Sequence, residues 1–295
     1  MKTRFVLLAL ACGFAATTAS GADDPGLYRP LTLALADVGS ADTGGGAGAL
    51  GEKTDTAELA KKLSNPVANL ISVPIQNNWD FGIGSANAMR YTANIQPVVP
   101  LSIAEDWNVI IRTILPVIYQ ESRFAGDGSH SGLGDTVQSF FFSPKQPTSG
   151  GWIWGVGPVA LWPTSTDDVL GTGKVGAGPT GVLLKQEHGW TYGLLANHIW
   201  SYAGQGDTPD VNATFLQPFV TFTTKTYTTF GLNTESTYDW DQNQWTVPLN
   251  ASISQLLKIG GRPVQFQIGY RYYAERPNGG PDWGLRFAVT FLFPK

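Results

Sequence analysis

The stretch from Tyr91 to Tyr119, YTANIQPVVPLSIAEDWNVIIRTILPVIY, constrains the fold of this chain more than any other. Tyr91, Ala93, Ile95, Pro97, Val99 and Leu101 fall on one face, with Thr92, Asn94 and Gln96 on the other. A short polar turn follows at Ala104-Glu105-Asp106. Trp107, Val109, Ile111, Leu115, Val117 and Tyr119 then share a face, opposite Asn108, Arg112 and Gln120. A period of two is the mark of a strand, since a helix repeats near 3.6 residues. Each limb runs for roughly ten residues, where strands of soluble domains average about five or six. Strands that cross a bilayer at a tilt need about 9–11 residues.

The same unit recurs. Alternation and turn residues predict strands over about 69–79, 91–102, 107–119, 134–143, 152–162, 175–186, 190–200, 212–223, 227–239, 245–254, 263–273 and 282–293, about twelve in all. Connections alternate in character. Ala104 to Asp106, Glu187 to Gly189 and the Lys225 neighbourhood are short; Glu121 to Leu133, Pro163 to Lys174, Ser201 to Val211 and Ala274 to Pro281 are longer and polar. Short periplasmic turns and longer outer loops are the habit of outer-membrane barrels. Pro144 to Gly151 and Gln255 to Arg262 read as turns longer than that rule expects, and Asp241 to Gln244 as a loop shorter.

The tryptophans form two groups. Trp107, Trp152 and Trp190 open strands after short turns, with Trp154 one step inward, while Trp79, Trp162, Trp200, Trp240, Trp245 and Trp283 sit at the opposite strand ends. Two such bands are the aromatic girdles of a membrane barrel. Composition agrees: charged residues make up 14% and mean hydropathy is −0.06, where globular chains are about 25% charged. An apolar outer face averaged with a polar inner one gives these values. The last strand, DWGLRFAVTFLF, sets Leu285, Phe287, Val289, Phe291 and Phe293 against Gly284, Arg286, Ala288 and Thr290. A terminal strand of this kind suits recognition by barrel-assembly machinery, although Pro294-Lys295 follow the final Phe. The expected fold is thus an all-β transmembrane antiparallel barrel at residues 67–295, its partners outer-membrane lipid and lipopolysaccharide.

Before the barrel, Lys2 and Arg4, the apolar run Phe5 to Ala16 and the small residues Thr17 to Ala22 read as a secretory signal cleaved before Asp23 or after Ser20. Cys12, within it, is the single cysteine, so the exported chain is expected to need no disulfide framework. Residues 23–66 read as a flexible segment, Gly-rich at Gly44 to Gly48, with one short helix at 55–63. There Asp55 and Glu58 have capping-box spacing and Asn65-Pro66 ends the run. Such a helix could lie at the mouth, plug the barrel, or sit on the surface.

Three stretches, AELAKKLSNPVANLISVPIQNNWDFGIG, NIQPVVPLSIAEDWNVIIRTILPVIYQ and NHIWSYAG with FLQPFVTFTT, resemble the Gram-negative outer-membrane "transporter" family named after the meta-pathway of phenol degradation. The resemblance covers nearly all of the mature chain. It implies an outer-membrane barrel that passes small molecules, aromatic ones among them, and assigns no catalytic or ligand residue.

The polar face offers Asn94, Gln96, Arg112, Gln217, Asn233, Glu235, Gln267, Arg271 and Arg286 as candidate lumen-lining residues, because charge on the lipid face costs about 2–4 kcal/mol near the midplane. They form either a solute path or a set of pairs filling a narrow structural barrel. A net charge of −4 excludes a strongly basic nucleic-acid binder. His130, His188 and His198 fall in a long loop, a short turn and a strand end, too dispersed for a metal site. Ser129-His130-Ser131 with Asp127 and Asp135 reads either as a seat for a lipid-acting hydrolase or as a solvated polar loop, and the loop is the expected reading. Gly171 to Gly176 matches a dinucleotide-binding pattern but leads into a strand, where that motif needs a helix. Asp167 and Asp168 beside it could hold a cation. No cofactor is implied.

Overall fold

The computed structural model describes residues 58–63, 65–206 and 208–293. The proposed signal, the Gly-rich stretch and the Asp55 cap lie outside them. Fifteen strand segments are all paired antiparallel in one sheet: β1 (Ile71–Ile83), β2 (Ala88–Ile95), β3 (Val98–Ser102), β4 (Trp107–Gln120), β5 (His130–Leu133), β6 (Thr136–Pro144), β7 (Trp152–Trp162), β8 (Lys174–Glu187), β9 (Trp190–Gly204), β10 (Asn212–Thr223), β11 (Thr228–Thr234), β12 (Ser236–Asp239), β13 (Gln244–Ile259), β14 (Arg262–Glu275) and β15 (Trp283–Phe293). β2 with β3, β5 with β6 and β11 with β12 are single strands briefly interrupted, which leaves twelve. β15 pairs with β1 from Ile71↔Phe293 to Phe81↔Trp283, so the sheet closes into a barrel without an edge.

The interruptions have local causes. Pro97, without an N–H, divides β2 from β3, while Gln96 N still donates to Pro74 O at 2.9 Å and Thr113 N to Pro97 O at 3.1 Å. Glu235 divides β11 from β12; the register with β13 puts Pro248 opposite it, again without an N–H to give.

Burial separates the two faces. In β4, Trp107, Tyr119 and Val117 are exposed, whereas Asn108, Ile110, Arg112, Ile114 and Ile118 are buried. The exposed face is an apolar belt with aromatic pairs at both rims. Trp107 meets Trp154 at 5.8 Å and Trp190 meets Phe222 at 4.9 Å at the short-turn end. Trp79 meets Tyr91 at 5.2 Å, Phe81 meets Trp283 at 4.5 Å and Tyr238 meets Trp240 at 4.9 Å at the other.

Several connections differ from the sequence reading. Gln255 to Arg262 is not a long turn: β13 runs to Ile259 and β14 begins at Arg262. Gly260 and Gly261, at φ 56° and 79°, make a two-residue hairpin in the left-handed geometry that matches strand twist. β1 and β2 reach Ile83 and Ala88, which leaves a tight turn at the end of the barrel that carries the long loops, as short as the one between Asp239 and Gln244. β9 continues to Gly204. The helix occupies 58–63 of the described residues. Leu59 and Ala60 are buried with Ala68, Leu70, Leu256 and Leu292, and Gln186 Nε2 donates to Lys61 O at 3.0 Å. Leu256 and Leu292 belong to the inner face, so the helix sits within the short-turn mouth.

Candidate solute path

Asn94, Gln96, Arg112, Gln217, Asn233, Glu235, Gln267, Arg271 and Arg286 all stand on the inner face and are all buried. They are not spread evenly around the wall. Asn94 and Gln96 come from the strand β2–β3, Asn233 and Glu235 from β11–β12, Gln267 and Arg271 from β14 and Arg286 from β15. Arg112 of β4 and Gln217 of β10 stand at the margins of this polar half.

Glu235 is its centre. Its carboxylate accepts from Arg286 Nη1 and Nη2, each at 2.9 Å, and lies 3.5 Å from Arg271 Nη2. Asn78 Oδ1 accepts from Arg286 Nε at 2.8 Å and from Arg271 Nη1 at 3.2 Å. Tyr273 donates its hydroxyl to Asp80 Oδ1 at 2.9 Å, and Arg271 lies 3.7 Å from the same carboxylate. Arg112 Nη2 donates to Gln96 Oε1 at 2.8 Å. The Gln76 amide sits between Gln96 and Arg286, about 3.1 Å from each. Asn250 Nδ2 donates to Asn233 Oδ1 at 2.8 Å. Paired and hydrogen-bonded in this way, five charged side chains tolerate burial that none would tolerate alone.

Sequence reasoning missed Gln76, Asn78, Asp80 and Tyr273, although all four are buried here. Gln76, Asn78 and Asp80 alternate in phase. The signal was hidden by Asn77, polar but outward, which accepts from Tyr91 Oη at 2.7 Å and donates to Phe287 O at 3.2 Å.

The other half of the inner face overturns the expectation of a polar lining. From β4 to β10 it carries Ile110, Ile114, Val137, Phe141, Val159, Leu161, Val182, Leu184, Leu195, Ile199, Phe215 and Phe219, one contiguous apolar cluster that Val67 joins. The barrel interior is thus two-sided, an apolar wall facing a hydrogen-bonded ionic one.

Beyond the upper girdle the long connections are tied together. Arg123 Nε and Nη2 donate to Asp127 at 2.7 and 2.8 Å, which holds the Asp127 carboxyl down at about 2. His130 Nδ1 lies 2.9 Å from Asp167 Oδ2, and this hydrogen bond raises the imidazole above its ordinary value. Its Nε2 lies 3.3 Å from Asp127 O. Both ring nitrogens are therefore occupied, and neither is left to activate Ser129 as a nucleophile. Asp135 accepts from the Thr172 hydroxyl at 2.7 Å. The glycine pattern from Gly171 to Gly176 leads into β8, and Lys174 pairs with Asp210 at 2.9 Å. Among the described residues no three of His, Cys, Asp and Glu gather as a metal site.

No family model matches the chain, and no curated protein matches it in sequence. Solved barrels do match in shape. The COG4313 outer membrane channel from Pseudomonas putida F1 superposes with a TM-score of 0.61 at 14% identity, covering 76% of this chain and 96% of the channel. The NanC porin gives 0.48 at 13% identity, covering 74% and 98%. The β domain of the Bordetella autotransporter BrkA gives 0.44 at 9%, covering 76% and 100%. At 14% identity the likeness to the COG4313 channel is one of fold.

Proposed function

We propose that this chain is an outer-membrane channel through which small solutes pass passively, with the tight turns on the periplasmic side and the long loops outside. The observation that carries the reading is the divided interior: an ionic network centred on Glu235 and Arg286 faces an apolar wall from Ile110 to Phe219. A solute between them meets hydrogen-bonding groups on one side and apolar carbon on the other. That suits a small molecule with an apolar or aromatic body and a polar end, better than a sugar or a bare ion. The resemblance to the phenol meta-pathway family supports the same class of permeant. The secretory signal and the closing strand β15 support export and insertion by barrel-assembly machinery, with lipid and lipopolysaccharide around the belt.

Single-channel recording of the refolded mature chain in a planar bilayer tests this directly. Steady conductance that changes when Glu235→Gln removes the central charge is the expected result. Silence from protein shown folded by its heat-modifiable gel shift would leave a closed structural barrel instead.

A further inference from the structure

Two glycine–proline pairs, Gly157-Pro158 in β7 and Gly178-Pro179 in β8, lie side by side in the apolar wall, with Pro158 opposite Pro179. The prolines face outward and the glycines face the lumen. Between β6 and β7 the ladder runs to Ser139↔Val159 and resumes in the same register at Phe142↔Val156, with no partners between. Between β8 and β9 it is likewise missing from Ala177↔Trp200 to Thr180↔Asn197. The cause is chemical. In these registers Pro158 stands opposite Phe140 and Pro179 opposite His198, and proline has no N–H to donate.

The Phe140 and His198 carbonyls thereby lose their ladder donors, and both oxygens lie over the lumen face of the neighbouring strand. A β-carbon built at Gly157 would overlap the Phe140 oxygen, and one at Gly178 would overlap the His198 oxygen. Only glycine leaves that room. Gly157 and Gly178 are half-buried between the fully buried Phe141, Val159 and Ile199. Asn197, next to His198, is 8% exposed, and its Oδ1 has no hydrogen-bond partner among the described residues. Strands stand about 4.8 Å apart, so the two carbonyls bracket a glycine floor about 10 Å wide. An acceptor without a donor in an apolar wall is costly, and a trough that brings together two carbonyls freed from their ladders and the unpartnered Asn197 Oδ1 is built to receive a donor.

We propose that this trough is a binding subsite for a small apolar or aromatic solute bearing a hydrogen-bond donor, a hydroxyl or an amine, which is accepted by Phe140 O on one side of the floor or by His198 O or Asn197 Oδ1 on the other. The proposal rests on the channel reading, because the lumen is the way in.

The test compares 4-hydroxybenzoate with 4-fluorobenzoate and 4-methoxybenzoate, which bracket it in size, share its charge and lack the donor. Permeability relative to chloride, from reversal potentials across planar bilayers, is expected to favour 4-hydroxybenzoate by about 2- to 12-fold, the worth of one ordinary hydrogen bond. Pro158→Ala with Pro179→Ala returns an N–H to each ladder and draws both carbonyls back. That variant is expected to lose most of the preference, with chloride conductance unchanged. Equal permeabilities in the wild type, or an unaltered preference in the double variant, overturn the subsite and leave the channel standing. If folded wild type passes no current, the channel reading fails on its own. The subsite is then judged by carbon-13 NMR of protein labelled at its three histidine carbonyls. A His198 signal moved by 4-hydroxybenzoate and not by 4-methoxybenzoate supports it, and an unmoved signal overturns it, the trough then holding water only.

Discussion

Glu235 and Arg286 meet through two contacts of 2.9 Å although β13 and β14 lie between their strands in the sheet. The pair is therefore a chord across the barrel and not a neighbour contact along the wall. Glu235→Ala leaves Arg286 buried without its counter-charge, at a cost of about 3–5 kcal/mol. Its folded band on gels is expected to melt at a clearly lower temperature than wild type. Glu235→Arg with Arg286→Glu is expected to recover part of that loss, and no recovery would argue against the pairing.

Phe141 and Phe142 are adjacent in β6, yet one is fully buried and the other is 42% exposed. If the apolar wall is a packed interior, Phe141→Ala costs about 3–5 kcal/mol through the cavity it opens. Phe142→Ala, on the lipid face, is expected to cost much less. Denaturant midpoints of the two variants in the same detergent check this, and equal losses would mean that the inner face is not packed.

The helix at 58–63 is held by Leu256 and Leu292 and by the Gln186 contact to Lys61 O. Leu256→Asn with Gln186→Ala is expected to release it. Trypsin should then cut at Lys61 and Lys62 faster than in wild type, by about tenfold or more if the lost packing is worth at least 1.4 kcal/mol. An unchanged cleavage rate would detach the helix from this seat.

The His130–Asp167 contact ties two outer loops and depends on pH. Its hydrogen bond raises His130, so its contribution is complete below the ordinary imidazole value of about 6.5 and is lost as pH climbs through the raised value. Asp167 is lowered; burial opposes that shift and the His130 hydrogen bond drives it, so at the acid end the contact is lost as pH falls through the lowered value. An NMR titration of the His130 ring should give a midpoint above 6.5, and Asp167→Asn should bring it down. A midpoint that ignores that substitution would contradict the contact.

The strands were legible because lipid imposes its period on one face wherever a strand crosses. Tyr91 to Leu101 and Leu285 to Phe293 display it, and so do the tryptophans at the rims. The character of the inner face was only half legible. Where it is polar, as at Asn94 and Gln96, alternation marks it. Where it is apolar, Ile110 beside Ile111 and Phe141 beside Phe142 look alike in sequence, and only burial tells inside from outside. Gln255 to Lys258 concealed the end of β13 because Leu256 and Leu257 break the alternation while facing opposite sides. Which polar groups meet across the lumen was not legible either. The Glu235–Arg286 chord depends on barrel closure, a relation between residues 51 positions apart.

Among the described strands, the seam between β15 and β1 joins the first to the last, from Ile71↔Phe293 to Phe81↔Trp283, and β1 exists long before its partner is delivered. Until Phe293 arrives, β1 and β14 both present unpaired N–H and C=O groups that hydrocarbon cannot satisfy. Insertion is therefore tied to completion, and a chain stopped short of Trp283 has two raw edges and no stable place in the bilayer.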